Sequence, residues 1–261
     1  MQDDFLRREV RALKKRVFRL GLSVTHGLGD DGIREALDGP VNYVFFNPTA
    51  RRLVAPLRDA LRRDRERYVV ATGPTFGWLR GSVRRRVEAA LRALGTDYLD
   101  VLQLYWLGKM SALSGAVAEE MVALKEEGKV RALGASIHDR PLAGRLAEDS
   151  ALDLLMIRYN AAHPGAEKDV FPHLAHRHPA VVAYTATCWR KLLRAPRGFP
   201  GRAATAGECY RFCLSNPAVD VALFSPANAR EMREDLAEAA RGPLSDGEMA
   251  FMRELGRAVR G

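Results

Sequence analysis

No apolar run in the chain approaches the roughly 18 residues that a membrane-spanning helix needs. Near its beginning stand Asp3 and Asp4, where a signal peptide would carry an apolar core. Cysteine is scarce: Cys188, Cys209 and Cys213 form no C-x-x-C pair and no zinc-ligand spacing, although Cys209 and Cys213 share a helix face. They read as small buried apolar residues in a reducing compartment, and no disulfide-linked partner is expected. Nor does any Pro/Gly/Ser-rich linker divide the chain, which argues for one domain. Together these absences point to a cytoplasmic globular protein with no membrane partner.

What is present agrees with that class. Of 261 residues, 47% are hydrophobic and 28% charged, so disorder is not indicated. Lys and Arg number 41 against 32 Asp and Glu, a net charge of +9. The basic residues are spread over every expected helix and accompany no nucleic-acid motif. Solvated helix faces account for them, and a small molecule, not nucleic acid, is the expected partner.

Residues 3–16 place Phe5, Val10, Leu13 and Val17 on roughly one face among Arg and Lys. That spacing predicts a short amphipathic helix, so residues 1–18 read as a basic helical extension docked on a body spanning 19–261. In the body one pattern recurs eight times: a short β-favouring segment, a loop, then a helical segment. The strands are expected at 19–24, 42–46, 68–72, 101–105, 131–136, 154–158, 181–185 and 219–224. Helices are expected near 30–38, 50–63, 79–94, 115–127, 140–148, 167–176, 203–215 and 228–239. A last helix, 245–259, opens on a capping box of Ser245 and Glu248. Alternating strands and helices demand a parallel sheet covered by helices, and eight units predict an α/β fold closed as a (β/α)8 TIM barrel. The loop 190–202, rich in Pro, Gly and Arg, is the longest connection and the expected mobile lid.

Function in such a barrel gathers at the carboxyl ends of the strands. Residues 95–108 end a buried strand in Tyr105 and Trp106, so the identity of residue 105 matters more than most. Arg158 closes an otherwise apolar strand, where it needs either a carboxylate such as Glu167 or Asp139 or a bound anion. His138 beside Asp139 is a candidate acid/base pair. Thr185 and Thr187 precede a basic loop and could cradle phosphate; Ser225 and Asn228 lead into a helix bearing Arg230 and Arg233, where Asn228 is either a plain cap or part of a phosphate site. Gly27-x-Gly29-x-x-Gly32 has the spacing of a dinucleotide fingerprint, but the next strand ends Phe45-Phe46-Asn47 without an acidic residue, so a tight Gly-rich loop is the better reading. His173, His176 and His178 are too irregularly spaced for a metal site.

Several longer runs resemble the aldo-keto reductases. They are Arg19-Leu-Gly-Leu22, Ser82-Val-x-x-x-Val-Glu-x-Ala-Leu-x-x-Leu-Gly-Thr-Asp-Tyr-Leu-Asp-Val-Leu-Gln-Leu104 and Leu124-Lys-Glu-Glu-Gly-Lys-Val-Arg-Ala-Leu-Gly-Ala-Ser136. Val182-Ala-Tyr-Thr185, Leu214-Ser-Asn-Pro-Ala-Val219 and Glu231-Met-Arg-Glu-Asp-Leu236 continue the match. The resemblance implies a barrel that binds NADP or NAD and reduces a carbonyl. By it, Ser136 would meet the nicotinamide carboxamide, Tyr184 would stack on the nicotinamide, and Thr185 and Thr187 would lie at the pyrophosphate. It also marks departures. The positions of the family's Asp, Tyr, Lys and His tetrad are occupied by Phe45, Ala50, Gly73 and Tyr105, and Met156, Ser225 and Glu231 replace residues the family uses toward the cofactor. The sequence therefore reads as a divergent member in which Tyr105 replaces the lost proton donor, with Arg158 or His138 stabilising developing charge. A catalytically silent nucleotide-binding relative and a cofactor-free acid/base enzyme acting on an anionic metabolite are the alternatives.

Overall fold

Strand alternation and helix periodicity resolve into one closed barrel in the computed structural model, which describes residues 5–46, 51–74, 77 and 81–260. A two-stranded antiparallel hairpin comes first, β1 (Arg7–Val10) and β2 (Lys15–Phe18). The barrel strands follow: β3 (Leu20–Ser23), β4 (Tyr43–Phe45), β5 (Val69–Thr72), β6 (Leu99–Leu107), β7 (Val130–Ile137), β8 (Leu154–Arg158), β9 (Ala180–Tyr184) and β10 (Val221–Phe224). All eight pair in parallel, and β10 closes on β3. Around them run α1 (Asp30–Asp38), α2 (Arg51–Arg63), α3 (Ser82–Leu94), α4 (Gly115–Glu126), α5 (Arg140–Glu148), the short α6 (Ala166–Asp169), α7 (Ala206–Ser215), α8 (Ala229–Ala239) and α9 (Asp246–Arg260).

The period-2 rule sorts each strand between two cores. Leu102 and Leu104 of β6 face the helices, while Val101 joins Tyr43, Val69, Leu154 and Val182 inside the barrel. Gly21 makes room there: a Cβ on it would fall 2.8 Å from the ring of Tyr43. The helix expected at 167–176 is interrupted after Asp169, and a 3-10 turn over Phe171–Leu174 carries Pro172 in its first turn, where no backbone N–H is needed. Ser245 and Glu248 exchange the capping-box hydrogen bonds ahead of α9.

The N-terminal segment corrects its expectation. Beyond Leu6 it is a hairpin, not an amphipathic helix, with Lys14 in the left-handed turn conformation at φ 49°. Val10, Leu13 and Val17 pack into the amino-terminal end of the barrel interior, which would otherwise open to water. That distant apolar surface decides the local structure, and β-branched Val10 and Val17 suit the extended backbone. The basic residues serve as anchors. Lys15 and Arg65 both pair with the buried Asp100, at 3.1 and 2.8 Å. Arg19, just past the hairpin, donates to the carbonyls of Phe5, Leu214, Val219 and Asp220, and its burial lowers its pKa to about 9.

Candidate functional site

At the carboxyl ends of the strands lies a cavity of about 920 Å³, the size of a small-molecule or cofactor site. Its floor includes Phe45, Met156, Leu223 and Tyr105. Tyr105 points inward because β6 keeps its alternation to that residue. The phenol meets the edge of Phe45 at 5.4 Å between ring centres and donates a 3.3 Å hydrogen bond to the Phe46 carbonyl. Burial pushes its pKa up to about 12, against smaller lowering effects of Thr72 and Gly73.

Immediately after Tyr105 the strand departs from regularity. The register with β7 shifts between Leu104 and Leu107, and Trp106 takes φ 46°, a costly conformation for a bulky residue. Two hydrogen bonds hold the bulge: the Trp106 N–H donates to Ser136 Oγ at 2.7 Å, and the Ser111 hydroxyl donates to the Tyr105 carbonyl at 2.7 Å. The bulge turns the Trp106 indole out to the cavity mouth, 45% exposed. There it meets His138 edge to face at 5.7 Å, and His138 meets Tyr184 in the same way at 5.7 Å. The Tyr184 hydroxyl lies 3.0 Å from His138 Nδ1. Burial, then Arg158 and Lys109, lower the His138 pKa, which keeps the ring neutral at pH 7. Burial pushes the Tyr184 phenol up to about 12.

His138 and Asp139 do not form a pair. Asp139 accepts from the Leu142 N–H at 2.9 Å and caps α5, so His138 is oriented by Tyr184 instead. The internal ion pair considered for Arg158 is also not formed. Glu167 binds Arg253 and the Tyr159 hydroxyl, and no carboxylate among the described residues pairs with Arg158. Its guanidinium lies 5.8 Å from the ring centre of Trp189 near the mouth.

Thr185 and Thr187 line the cavity in a backbone run where Thr185, Cys188, Trp189 and Arg190 all have positive φ. Thr187 Oγ1 accepts from the Arg190 N–H, which shapes the turn. Across from it, Ser225 Oγ accepts from the N–H groups of Thr25 and His26 at 3.0 and 3.2 Å and so ties the first βα loop to the last. Asn228 caps α8 by accepting from the Glu231 N–H at 2.9 Å. Arg233 turns away to Glu35, at 2.6 Å, and does not line the cavity. Ala50 lies outside the described residues.

The far end of the cavity holds what the sequence reading did not single out: Tyr210 of α7 and Asp235 of α8, both buried. Burial first, then Glu231 and Glu234, raise the Asp235 pKa to about 7. One signal was available. Met232, Asp235 and Ala239 are the buried residues of α8, so the spacing puts a carboxylate on an apolar helix face. Among the described residues no group of three or more His, Cys, Asp or Glu could hold a metal ion, and no helix is long and apolar enough to cross a membrane.

The closed barrel agrees with comparisons to known proteins. The pattern of the Aldo/keto reductase family matches residues 30–188, more than half of the chain. The chain therefore belongs to the aldo/keto reductase family, a family of oxidoreductases. It is similar to the NADH-specific methylglyoxal reductase of Escherichia coli (strain K12), 30% identical over 94 residues, 35% of this chain and 28% of that protein. The matched stretch thus spans under a third of that relative's length. In fold it is similar to the apo form of aldo-keto reductase AKR11C1 from Bacillus halodurans, with a TM-score of 0.79, 20% identity and 95% of each chain covered. An aldo/keto reductase from Klebsiella pneumoniae, solved in complex with NADP and acetate, superposes with a TM-score of 0.76 at 21% identity, covering 94% of this chain and 93% of that one.

Proposed function

We propose that the chain is a nicotinamide-dependent oxidoreductase that reduces a small carbonyl compound, with Tyr105 as the proton donor. The observation that carries this reading is the meeting of Tyr105, Ser136 and Tyr184 in one cavity at the carboxyl end of a barrel of this family. NAD(P)H would supply the hydride. Ser136 suits the carboxamide: its oxygen accepts the Trp106 N–H, which leaves its own proton to donate. Tyr184, fixed by its hydrogen bond to His138, offers a ring face against which a planar ring can stack. Tyr105 is protonated at neutral pH and can give its proton to a developing alkoxide, while Arg158, without a carboxylate partner among the described residues, adds positive potential at Tyr184 and His138. The Escherichia coli relative is named for NADH and the Klebsiella relative holds NADP, which supports a nicotinamide cofactor of either kind.

The departures from the family's tetrad shape the rate. A lysine beside the proton donor would lower its pKa; at position 73 a Cβ would fall 1.8 Å from the Gln103 carbonyl oxygen, so no side chain fits. A phenol held near 12 is a weak acid at pH 7, and turnover is expected to be slow. The same observation favours a second reading, a protein that binds the nucleotide without reducing anything.

Methylglyoxal, after the relative's name, is the first substrate to try. Steady-state kinetics and nucleotide titration on the wild type and Tyr105→Phe separate the readings. The proposal expects a loss in kcat of at least tenfold with the nucleotide Kd unchanged, in line with the worth of a general acid. Equal turnover by Tyr105→Phe excludes Tyr105 as the donor. Tight nucleotide binding with no turnover over a broad carbonyl panel favours the silent reading.

A further inference from the structure

The end of the cavity away from Tyr105 has an unusual lining. Among its charged residues are Glu231, Glu234, Asp235 and Glu238, against one Lys or Arg among the described residues, Arg190. Three of these carboxylates have cationic partners: Glu231 lies 3.8 Å from Arg190, Glu234 is paired with Arg230, and Glu238 is paired with Arg211 and Arg241. Asp235 has none. It is 6% exposed, lines the cavity, and makes no hydrogen bond or ion pair with any described residue. The hydroxyl of Tyr210, on a residue 5% exposed, is also without a hydrogen-bond partner among the described residues. A buried carboxylate and a buried phenol facing the same space call for a ligand that brings hydrogen-bond donors.

We propose that this end of the cavity takes an adenosine whose ribose keeps a free 2′-hydroxyl, so that the chain uses NADH in preference to NADPH. The inference rests on the nicotinamide-binding reading above. With the nicotinamide at Ser136 and Tyr184, a dinucleotide running along the cavity brings its diphosphate past the loops after β9 and β10, the usual phosphate position in such barrels. Its adenosine then falls between α7 and α8. A ribose diol donates to a carboxylate, as it does to the acidic residue of other dinucleotide sites. A 2′-phosphate would bring further negative charge against an unpaired carboxylate in a half-enclosed, low-dielectric space.

Arg190, the cation that lines this end, lies against Glu231 and also acts on Asp235, while the other cations nearby are engaged elsewhere. Arg233 is bound to Glu35 by two hydrogen bonds, at 2.6 and 2.7 Å. Arg211 is buried and held by Glu248 and two backbone carbonyls as well as by Glu238. Freeing Arg233 would take from Glu35 its cationic partner, and freeing Arg211 would leave the Gly242 and Pro243 carbonyls without its donors.

Isothermal titration of the full chain with NADH and with NADPH tests the inference without reference to turnover. NADH is expected to bind on the order of tenfold tighter or more. In Asp235→Asn, which removes the charge at nearly constant volume, the ratio should contract several-fold, mainly through tighter NADPH binding. Glu234→Gln, on the more exposed side of the same helix, should move the ratio in the same direction by less. NADPH binding as tightly as NADH overturns the inference while leaving the nicotinamide reading intact. Binding of neither nucleotide overturns that reading itself. A preference for NADH that both variants leave unchanged removes the selectivity from these carboxylates and overturns the assignment.

Discussion

The Tyr184 hydroxyl and His138 Nδ1 lie 3.0 Å apart, so an imidazole from one barrel strand's end is oriented by a phenol from another. Because burial and the cations Arg158 and Lys109 lower the His138 pKa, the ring is neutral at pH 7 and becomes charged only as pH falls below the ordinary imidazole value. Removing one cation should reverse part of this. In Arg158→Gln the His138 pKa is expected to rise toward its ordinary value, as followed by the imidazole resonances in an NMR titration. An unchanged or lower pKa would show that Arg158 does not act on this ring.

Position 73 offers a test of packing. A Cβ there would stand 1.8 Å from the Gln103 carbonyl oxygen, so β5 and β6 must separate to admit even a methyl group. Gly73→Ala is expected to destabilise the fold by roughly 3 kcal/mol or more, since backbone cannot yield as a flexible side chain can. Chemical denaturation of the variant reads this directly.

Asp235 links the site to stability. Its folded pKa, about 7, lies above its unfolded value, so the folded state binds the proton more tightly between those two values. The protein should therefore lose stability as pH rises from about 4 to 7, and above that range ionised Asp235 costs on the order of 3 kcal/mol. Asp235→Asn is expected to melt higher than the wild type at pH 8, with the difference shrinking at pH 5. Equal melting temperatures at pH 8 would mean that the carboxylate is not strained by burial.

Much of the architecture was legible because eight strand and helix segments carry their own periodicity; β8, for instance, falls at 154–158 in both sequence and structure. The hairpin was not. Phe5, Val10, Leu13 and Val17 satisfy a helical spacing by coincidence, and the surface that selects a hairpin is made by strands far along the chain. Of the site, Tyr105, Ser136, Tyr184, Thr185, Thr187 and Ser225 line one cavity, because barrel topology brings strand ends together whatever their separation in sequence. Arg233 does not join them: sequence proximity to a helix terminus does not fix where a long side chain goes, and Glu35 draws it to the surface. Asp235 went unnoticed among neighbouring acidic residues that are ordinary on an exposed helix.

Arg19 is expected to be the most sensitive cation in the fold. Its guanidinium serves four backbone carbonyls from both ends of the chain. Lysine keeps the charge and loses the planar fork, leaving carbonyls without donors. Arg19→Lys should cost about 2 kcal/mol or more, measured as a shift of the denaturation midpoint with an unchanged slope.

That residue also sits where the circle of strands is joined, since β3 and β10, the first and last strands of the barrel, meet beside it. The first and last strands of the ring are thus clasped to each other, and neither can peel away without opening it. Hydrogen exchange should find the amides of β3 and β10 as slow as those of β6 and β7 in the middle of the chain, with no gradual fraying inward from the ends.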